Sequence, residues 1–273
     1  MSDPMRGSTP SDDRGARAFF LRLGPLDRVR FLFYVLFSLV RRHTGLRLVR
    51  SLPLRVRGLR FRLEPGQGEW KIVHENVVRE QYLVEPGFRP RPGWTCLDVG
   101  ANIGATSLAW WRVCREVHVV ALEPHPVTLG RLRTNLALNG AGSKVEVVAS
   151  AVGRTEGELR LRVSPRGTMA MRPEMTGEPG EEIEVPVTTL DRLYAQMGLD
   201  RVDLLKVDIE GFEVEALDGA ETALRRTDRV VLEHHSEELR RACLERLARA
   251  GFDRIVERDD LVFASRDNAS ANT

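Results

Sequence analysis

The segment from Cys96 to Gly104 contains residues suited to holding a charged ligand. It reads Cys-Leu-Asp-Val-Gly-Ala-Asn-Ile-Gly, a short apolar run followed by a glycine turn. Gly100 and Gly104 lack a Cβ, so the backbone can approach a ligand closely there. Asp98 places a carboxylate at the end of the predicted strand, where a loop that binds pyrophosphate would avoid fixed negative charge. The segment therefore favours a cationic ligand, such as the sulfonium and ammonium groups of S-adenosylmethionine.

The next apolar run supports the same ligand class. Residues 117–122 predict a buried parallel strand. The strand ends at Glu123, about twenty residues beyond the glycine turn, where a nucleotide-binding α/β unit places the acid that holds ribose hydroxyls. Pro124 and Pro126 predict the start of a helix that ends near Asn139. The turn lacks the Gly-x-Gly opening of a nicotinamide site, which argues against an oxidoreductase.

A second motif, Lys-Val-Asp-Ile-Glu-Gly, covers residues 206–211. Alternation along a strand puts Lys206, Asp208 and Glu210 on one face. Buried charges must pair or meet a ligand, and the carboxyl end of such a strand borders the crevice where α/β sheets bind ligands. One interpretation is structural, with a Lys206–Asp208 pair and Glu210 capping the next helix. The functional interpretation is that Asp208 lines the place where methyl donor meets acceptor.

The strand after that motif ends in Glu-His-His at residues 233–235. Alternation puts Glu233 and His235 on one face and His234 on the other. Histidine is suited to taking a hydroxyl proton near neutral pH, and we prefer His235 for that role. An Asp/Glu/His cluster could instead hold a divalent cation such as Mg²⁺ that lowers the pKa of the acceptor, with Asp208 as one ligand. The spacing does not decide between these routes, so we assign no metal site.

In this order, the motifs resemble the FkbM family of S-adenosylmethionine-dependent methyltransferases, from about residue 75 to residue 264. The block at 97–104 resembles the family's donor loop, and the block at 122–126 resembles its ribose-binding strand end. Residues 135–139 and 151–153 are similar to the next blocks, and Val-Pro-Val-Thr-Thr-Leu-Asp at 185–191 precedes the 206–211 motif as the family pattern requires. Glu75, Glu80 and Tyr82 fall where the family has an acid and an acid–tyrosine pair.

The resemblance implies an α/β fold: a Rossmann-like, seven-stranded class I methyltransferase sheet with its last strand antiparallel and helices on both faces. It also implies O-methylation of a small-molecule hydroxyl, on a secondary metabolite or a sugar, with S-adenosylmethionine as cofactor. The expected cofactor-binding residues are Asp98, Gly100, Asn102, Gly104, Glu123, Ala151 and Val152. The expected catalytic residues are Asp208, His235, Glu210 and Lys206, and the expected acceptor contacts are Tyr82, His234 and Glu233.

Apolar periodicity and chain breakers predict the elements around these motifs. Strands are expected at 95–99, 145–148, 158–163, 182–187, 202–207, 230–233, 252–256 and 261–264, and helices at 190–197, 212–226 and 237–250. The loop 164–181 contains Met169, Met171 and Met175, which suit either an adaptable apolar lid over the acceptor or an ordinary surface loop.

We divide the chain into a disordered tail (1–15), a basic N-terminal extension (16–93), the methyltransferase domain (94–265) and a second tail (266–273). The extension should contain an apolar helix at 31–40, a hairpin at 52–63, an extended stretch at 70–78 and a loop at 85–93. Ten helical residues span about 15 Å, half of a ~30 Å hydrocarbon core, so the apolar helix should not cross a bilayer. It either packs as a core or homodimer contact, which we favour, or contacts an anionic membrane through residues 28–42.

Charge and cysteine content limit the partners and the compartment. Residues 1–62 contain 14 Arg and 4 Asp with no Lys or Glu, a net charge of +10, while the rest of the chain carries −8. The basic segment could meet anionic lipid or nucleic acid. The Pro-Pro-aromatic motif common among enzymes that methylate bases is absent, so we expect a small-molecule acceptor rather than nucleic acid. Three scattered cysteines predict reduced thiols in the cytoplasm, with the inner membrane face as the place of any peripheral contact. The alternative function is methylation of a lipid-linked or cell-surface glycan at that membrane.

Overall fold

A computed structural model of the chain describes residues 10–163, 170–171 and 181–266. The chain separates into two units, Met1–Gln81 and Tyr82–Thr273. The division lies inside the N-terminal extension that the sequence predicts at residues 16–93. Tyr82 and the breaker-rich segment after it therefore belong to the unit that contains the sequence motifs.

Two helices begin the first unit, α1 (Pro10–Arg22) and α2 (Pro25–Thr44). Pro25 suits a first helical turn because its missing N–H would have no partner there, and Gly45 ends α2 in the left-handed conformation with φ 74°. The tail predicted for residues 1–15 is corrected in part, since α1 already begins at Pro10. Among the described residues, no helix is both long and apolar enough to cross a bilayer.

The first unit also contains the predicted hairpin, formed by β1 (Leu52–Val56) and β2 (Leu59–Leu63). The strands pair antiparallel from Leu52↔Leu63 to Val56↔Leu59. Arg57 and Gly58 form the turn with positive φ, as tight hairpins require. The apolar residues of the strands alternate with arginines, which keeps one face of the hairpin buried and the other wet.

The extended stretch predicted for residues 70–78 is wrong. Helix α3 (Glu69–Val73) and a π-helical turn (His74–Arg79) cover it. Val73 and Val77, four residues apart, are both completely buried, so they share one side of a helical segment. The Trp70 ring lies 5.8 Å from the Phe19 ring between centroids. A short apolar run fits strand and helix equally well, and packing against aromatic residues distant in the sequence favours the helix at residues 70–78.

The second unit alternates strands and helices. Its strands are β3 (Thr95–Val99), β4 (His118–Leu122), β5 (Val145–Val148), β6 (Ala151–Val152), β7 (Gly157–Val163), β8 (Ala170–Met171), β9 (Glu181–Thr188), β10 (Leu204–Val207), β11 (Arg229–Glu233), β12 (Arg254–Arg258) and β13 (Leu261–Ser265). Its helices are α4 (Ala105–Val113), α5 (Pro126–Asn139), α6 (Leu190–Met197), α7 (Glu213–Asp218), α8 (Glu221–Arg225) and α9 (Glu237–Arg249), with 3₁₀ turns at Gln81–Leu83 and Pro86–Phe88.

The main sheet has seven strands in the order β12-β13-β11-β10-β3-β4-β5. The pairs among β11, β10, β3, β4 and β5 are parallel, and β13 runs antiparallel to both of its neighbours. The predicted sheet with an antiparallel last strand is confirmed. The strand order reverses at β3, which lies between β4 and β10, and the carboxyl ends of these three strands border the crevice where such sheets bind ligands.

Helices cover both faces of this sheet, as predicted. On one face, Leu97 and Val99 belong to a buried apolar cluster that includes residues of α6, α7, α8 and α9. On the other face, Ser107 of α4 donates to Asp98 of β3. Both faces of the central strands are therefore buried, and a polar side chain there needs an internal partner.

A smaller sheet has the order β6-β9-β7-β8. The predicted antiparallel pair is present as β7 and β9, in register from Gly157↔Val187 to Val163↔Glu181. Of the predicted methionine lid, Met171 lies in β8, while Met169 and Met175 lie outside the described residues. The lid therefore stays a prediction.

The single helix predicted for residues 212–226 is divided into α7 and α8. Gly219 lies between them, and a Cβ there would come within 2.2 Å of the Gly153 carbonyl oxygen. The close approach of the Gly153 carbonyl group therefore requires glycine at position 219, which directly follows the last residue of α7.

Candidate active site

An open cleft lies at the carboxyl ends of β3, β4 and β10. Its lining residues are Val99, Gly100, Asn102, Leu122, Glu123, Pro124, Ser150, Ala151, Val152, Leu159, Leu161, Asp208, Ile209, Glu210 and Phe212. Of the predicted cofactor-binding residues, Gly100, Asn102, Glu123, Ala151 and Val152 lie in this lining, and Asp98 and Gly104 do not.

The glycines of the donor loop make room for the protein's own chain. Gly100 has φ 79°, and a Cβ on it would lie 1.9 Å from the Asp208 carbonyl oxygen. Gly104 has φ 83°, and a Cβ there would lie 2.5 Å from Leu132 Cδ1. The absence of side chains at both positions lets the end of β10 and helix α5 approach the loop, a reason that local sequence did not reveal.

Glu123 and Asn102 form the polar end of the cleft. Glu123 accepts hydrogen bonds from the backbone N–H groups of Asn102 at 3.0 Å and His125 at 2.9 Å. Burial raises the pKa of Glu123 to about 7, against the lowering effect of these hydrogen bonds. Asn102 Oδ1 is buried without a hydrogen-bond partner in the described part of the chain. Apolar walls with a carboxylate and a free amide oxygen fit the adenine and ribose of S-adenosylmethionine.

Asp98 is enclosed by protein instead of facing the cleft. Its side chain is fully buried, and Oδ2 accepts a 2.6 Å hydrogen bond from Ser107 Oγ. Its Oδ1 lies 3.2 Å from the ammonium nitrogen of Lys206. The sequence predicts that Asp98 meets a cationic cofactor, and the cation beside it in the structure is Lys206.

Lys206 holds the ends of β3 and β10 together. Its ammonium group donates to the carbonyl oxygens of Gly100 at 2.8 Å and Val99 at 3.3 Å, and it lies 3.4 Å from Asp208 Oδ2. Burial opposes the charge, but Asp98 and Asp208 keep the pKa of Lys206 raised. Lys206 therefore stays charged and neutralises two carboxylates.

Tyr82 links the carboxylates at the ends of β10 and β11. Its hydroxyl lies 2.9 Å from Asp208 Oδ2 and 2.5 Å from Glu233 Oε2. Burial and the two carboxylates raise the pKa of Tyr82, so its hydroxyl keeps its proton. The Tyr82 hydroxyl can donate its one proton to only one of the two carboxyl groups. In the other contact, the carboxyl group must be protonated and donate to the Tyr82 oxygen. Burial and Asp208 raise the pKa of Glu233 to about 7, which makes Glu233 the group suited to hold that proton.

His235 is surrounded by carboxylates. Its Nδ1 lies 3.2 Å from Glu213 Oε1, and its Nε2 lies 3.3 Å from Glu210 Oε2 and 4.0 Å from Asp208 Oδ1. The hydrogen bond to Glu213, with the charges of Glu210 and Asp208, raises the pKa of His235 to about 9 against the effect of burial. As placed, the imidazole is charged at neutral pH.

The same side chains offer one candidate metal site within the described ranges. Asp208, Glu233 and His235 each present a ligand atom, and these atoms lie within 4.8 Å of one another. A buried carboxylate that orients the second nitrogen of a histidine is common in metal sites, and Glu213 is so placed. However, the Tyr82 hydroxyl already lies between the oxygens of Asp208 and Glu233.

Two features of the cluster differ from the sequence interpretation. The side chain of His234 makes no hydrogen bond or ion pair with the cluster in the portion that the structure describes, and its backbone N–H donates to Asp260 O. Glu213, which the sequence analysis missed, accepts from the N–H groups of Ile209 and Gly211 in the turn before α7. Helix α7 begins without a side-chain cap among the described residues, so the capping role considered for Glu210 is not filled. The position of Glu213 two residues after Gly211, at the start of a helix, was the available signal.

The seven-stranded sheet with its antiparallel last strand and the cleft at its switch point are those of the class I S-adenosylmethionine-dependent methyltransferase fold. Residues 98–255 match the model of the methyltransferase FkbM domain. Because the match covers more than half of the chain, the protein belongs to the FkbM methyltransferase family.

Relatives of this family include proteins with named acceptors. The chain is 30% identical over 225 residues to the 31-O-demethyl-FK506 methyltransferase FkbM of Streptomyces tacrolimicus, covering 71% of this chain and 86% of that protein. It is 27% identical over 184 residues to the hexuronic acid methyltransferase AglP of Haloferax volcanii, covering 65% and 70%. The crystal structure of the N-terminal domain of EvdMO1 with SAH bound has 17% identity and a TM-score of 0.46, covering 83% of this chain and 95% of that one.

Proposed function

We propose that the protein methylates a hydroxyl group of a small-molecule acceptor and that Asp208 receives the hydroxyl proton. The observation that carries this proposal is the double position of Asp208. It lines the cleft, and its Oδ2 lies within reach of the Tyr82 hydroxyl and the Lys206 ammonium. A proton-accepting group thus borders the space where donor and acceptor must meet.

The cleft residues suit S-adenosylmethionine, which supplies an electrophilic methyl group on its sulfonium. Glu123 would hold the ribose hydroxyls, Asn102 would offer its unpaired amide oxygen, and Val152 would lie against the adenine. These residues position the cofactor, and positioning is the main contribution a protein makes to an in-line displacement.

The cluster around Asp208 provides the route for the proton. As the new C–O bond forms and the methyl–sulfur bond breaks, the electron pair stays on sulfur and the hydroxyl proton passes to Asp208. The Glu233 carboxyl group donates to Tyr82 and the Tyr82 hydroxyl donates to Asp208, so the two groups hold the ionised Asp208 carboxylate in place to receive that proton. Such proton transfer contributes roughly 10²–10⁴-fold to rate.

In this proposal His235 has a positioning role. Its raised pKa, caused first by Glu213, keeps the imidazole protonated at neutral pH, and a protonated imidazole cannot accept a proton. It instead pairs with Glu210 and lies near Asp208. The general-base role that the sequence suggests for His235 therefore passes to Asp208.

Two of the relatives support the acceptor class. One is named for a 31-O-demethyl substrate, which specifies O-methylation, and the other for a hexuronic acid, a small molecule that carries both hydroxyl groups and a carboxyl group. Labelled methyl transfer from S-adenosylmethionine to a panel of sugars, uronic acids and macrolide alcohols tests the class. The expected product is a methyl ether, which resists alkali. Alkali-labile methyl esters, or transfer to amine analogues in place of alcohols, would contradict the proposal.

A matched pair of tyrosine variants tests the proton route. Tyr82→Phe removes only the hydroxyl between Asp208 and Glu233, so kcat should fall by about tenfold or more while calorimetry finds unchanged cofactor affinity. Tyr194→Phe is the control, since the Tyr194 hydroxyl pairs with Thr227 in the buried core, at 2.9 Å. Equal rates in both variants would remove Tyr82 from the mechanism.

A chelator tests the competing route through a divalent cation. The proton network predicts a rate unaffected by chelation. A rate that disappears with chelation and returns with Mg²⁺ would instead assign Asp208, Glu233 and His235 as ligands of a metal that activates the acceptor hydroxyl.

A second candidate function is methylation of a glycan carried on a lipid. One observation favours it: the apolar side of α2 is exposed. A lipid-linked sugar that is methylated faster in vesicles than the same sugar free in solution would support it.

A further inference from the structure

Helix α2 in the first unit has an apolar side that its own unit does not use. The exposed side chains are Leu26, Val29, Leu32, Phe33, Val35, Leu36 and Leu39, each between 37% and 61% exposed. At 3.6 residues per turn they form one continuous side, covering about half of the helix circumference. A helix of a soluble unit normally turns its polar side outward, so α2 reverses the usual arrangement.

The opposite side of α2 already makes the contacts that fold the unit. Phe31 and Tyr34 are buried and stack with centroids 5.9 Å apart. Asp27 accepts from the Arg55 backbone N–H at 3.1 Å, and Arg41 pairs with Glu64 at 2.6 Å. The buried side therefore satisfies the packing of the helix, and the exposed apolar side is available to a partner.

The sequence around this side is strongly basic, although Glu64 pairs with Arg41 and Arg47. Residues 28–63 contain ten arginines and no acidic residue. Asp27, just before them, is buried and paired with Arg30 at 3.0 Å. Arg22 precedes α2, Arg42 lies in its last turn and Arg50 follows it, all three exposed. A partner of this side must accept apolar side chains and carry negative charge.

We propose that α2 lies flat on an anionic membrane, with its exposed apolar side in the boundary between headgroups and acyl chains and its arginines on lipid phosphates. Twenty residues form a helix about 30 Å long. Apolar burial and attraction to anionic lipid act together in helices of this kind. No residue of α2, which the structure describes throughout, lines the methyl-transfer cleft.

A second copy of the chain fits this side less well than lipid does. In a two-fold symmetric dimer the same patch contacts itself. Two segments that each carry +10 between residues 1 and 62 would then be brought together, and like charges repel. Anionic lipid instead complements that charge.

Sedimentation of the full-length chain with vesicles tests the proposal. Binding is expected with phosphatidylcholine–phosphatidylserine vesicles, and it should weaken with added salt and with phosphatidylcholine alone. The variant Phe33→Ser/Leu36→Ser should bind at least about tenfold more weakly, because two apolar side chains no longer enter the bilayer. The control Val127→Ser/Leu138→Ser changes two exposed apolar residues of α5 and should bind as the unchanged protein does. Circular dichroism and cofactor titration establish that both variants are folded.

Three results would overturn the proposal. The first is no sedimentation with anionic vesicles, and the second is equal losses in the two double variants. The third is a dimer by light scattering that Phe33→Ser/Leu36→Ser converts to monomer without any vesicle binding, which would assign the apolar side to contact between copies. Equal binding to neutral vesicles would also contradict the proposal, because the arginines would then have no role in binding.

Discussion

Strands β3 and β10 are adjacent in the sheet, and each has an aspartate near its carboxyl end, but the surroundings of the two aspartates differ. Each has an acid near its carboxyl end, Asp98 and Asp208, and each acid lies close to the Lys206 ammonium. Asp98 is fully buried and also accepts from Ser107. Asp208 is 24% exposed in its side chain and lines the cleft. One carboxylate is enclosed as part of the protein interior, and the other can meet a substrate.

This difference teaches that position at a strand end does not define a role. The register places Lys206 beside Asp98, so the lysine neutralises Asp98 from within the sheet. Asp208 directly follows the last residue of β10, and its side chain lines the cleft. Substitutions at the two positions should therefore have different effects: the Asp208 variant should lose turnover, and the Asp98 variant should lose stability.

The largest effect is expected for Asp208→Asn. Turnover should fall by about 10³-fold because the amide cannot accept the hydroxyl proton, while cofactor affinity by calorimetry changes little. Asp203→Asn is the matched control, since Asp203 precedes the amino end of β10 and accepts from the Thr95 N–H at 2.9 Å. Comparable kinetic losses in both variants would indicate a general effect on the sheet.

A smaller loss, mainly in stability, is expected for Asp98→Asn. Removing one partner of a buried ion pair typically costs 3–5 kcal/mol, and we expect about 3 kcal/mol because Lys206 keeps Asp208. Denaturant unfolding measures the change. The double variant Asp98→Asn/Lys206→Met should recover part of it, since the buried ammonium group, then paired with Asp208 alone, is removed. A stable Asp98→Asn protein that no longer binds S-adenosylmethionine would restore the sequence-based role of Asp98 as the cofactor's partner.

The smallest effect is the pH dependence of cofactor affinity. Glu123 has a pKa raised to about 7, chiefly by burial, so it is ionised above that pH and protonated below it. Only the ionised form can accept from two ribose hydroxyls with both oxygens. Cofactor affinity should therefore fall below pH 7, and the decrease should approach about tenfold for each pH unit.

Calorimetric titrations between about pH 5.5 and pH 8 measure this dependence. Glu123→Gln should bind more weakly at high pH and lose the dependence. An unchanged slope in Glu123→Gln would assign the titration to another group.

Much of the second unit was readable from the chain itself. Alternation of apolar strands and helices predicted the sheet and its antiparallel last strand, and strand ends located Glu123, Asp208 and Glu233 near one crevice. The sequence predicted the secondary structure of the first unit less accurately. Residues 70–78 were predicted to be extended, because a short apolar run carries no decisive period, and contact of Trp70 with Phe19 lies beyond local pattern.

The amino-acid order by itself determined which segments form the seven strands of the main sheet and which acids stand at their carboxyl ends, since both follow from local periodicity. The tertiary structure decided which of those acids is neutralised, which one borders the cleft, and that Glu213 holds His235 in its charged form. It also decided which side of α2 is exposed. The physical reason is that charge state and accessibility depend on burial and on partners distant in the chain, such as Lys206 for Asp98, and only folding brings these together.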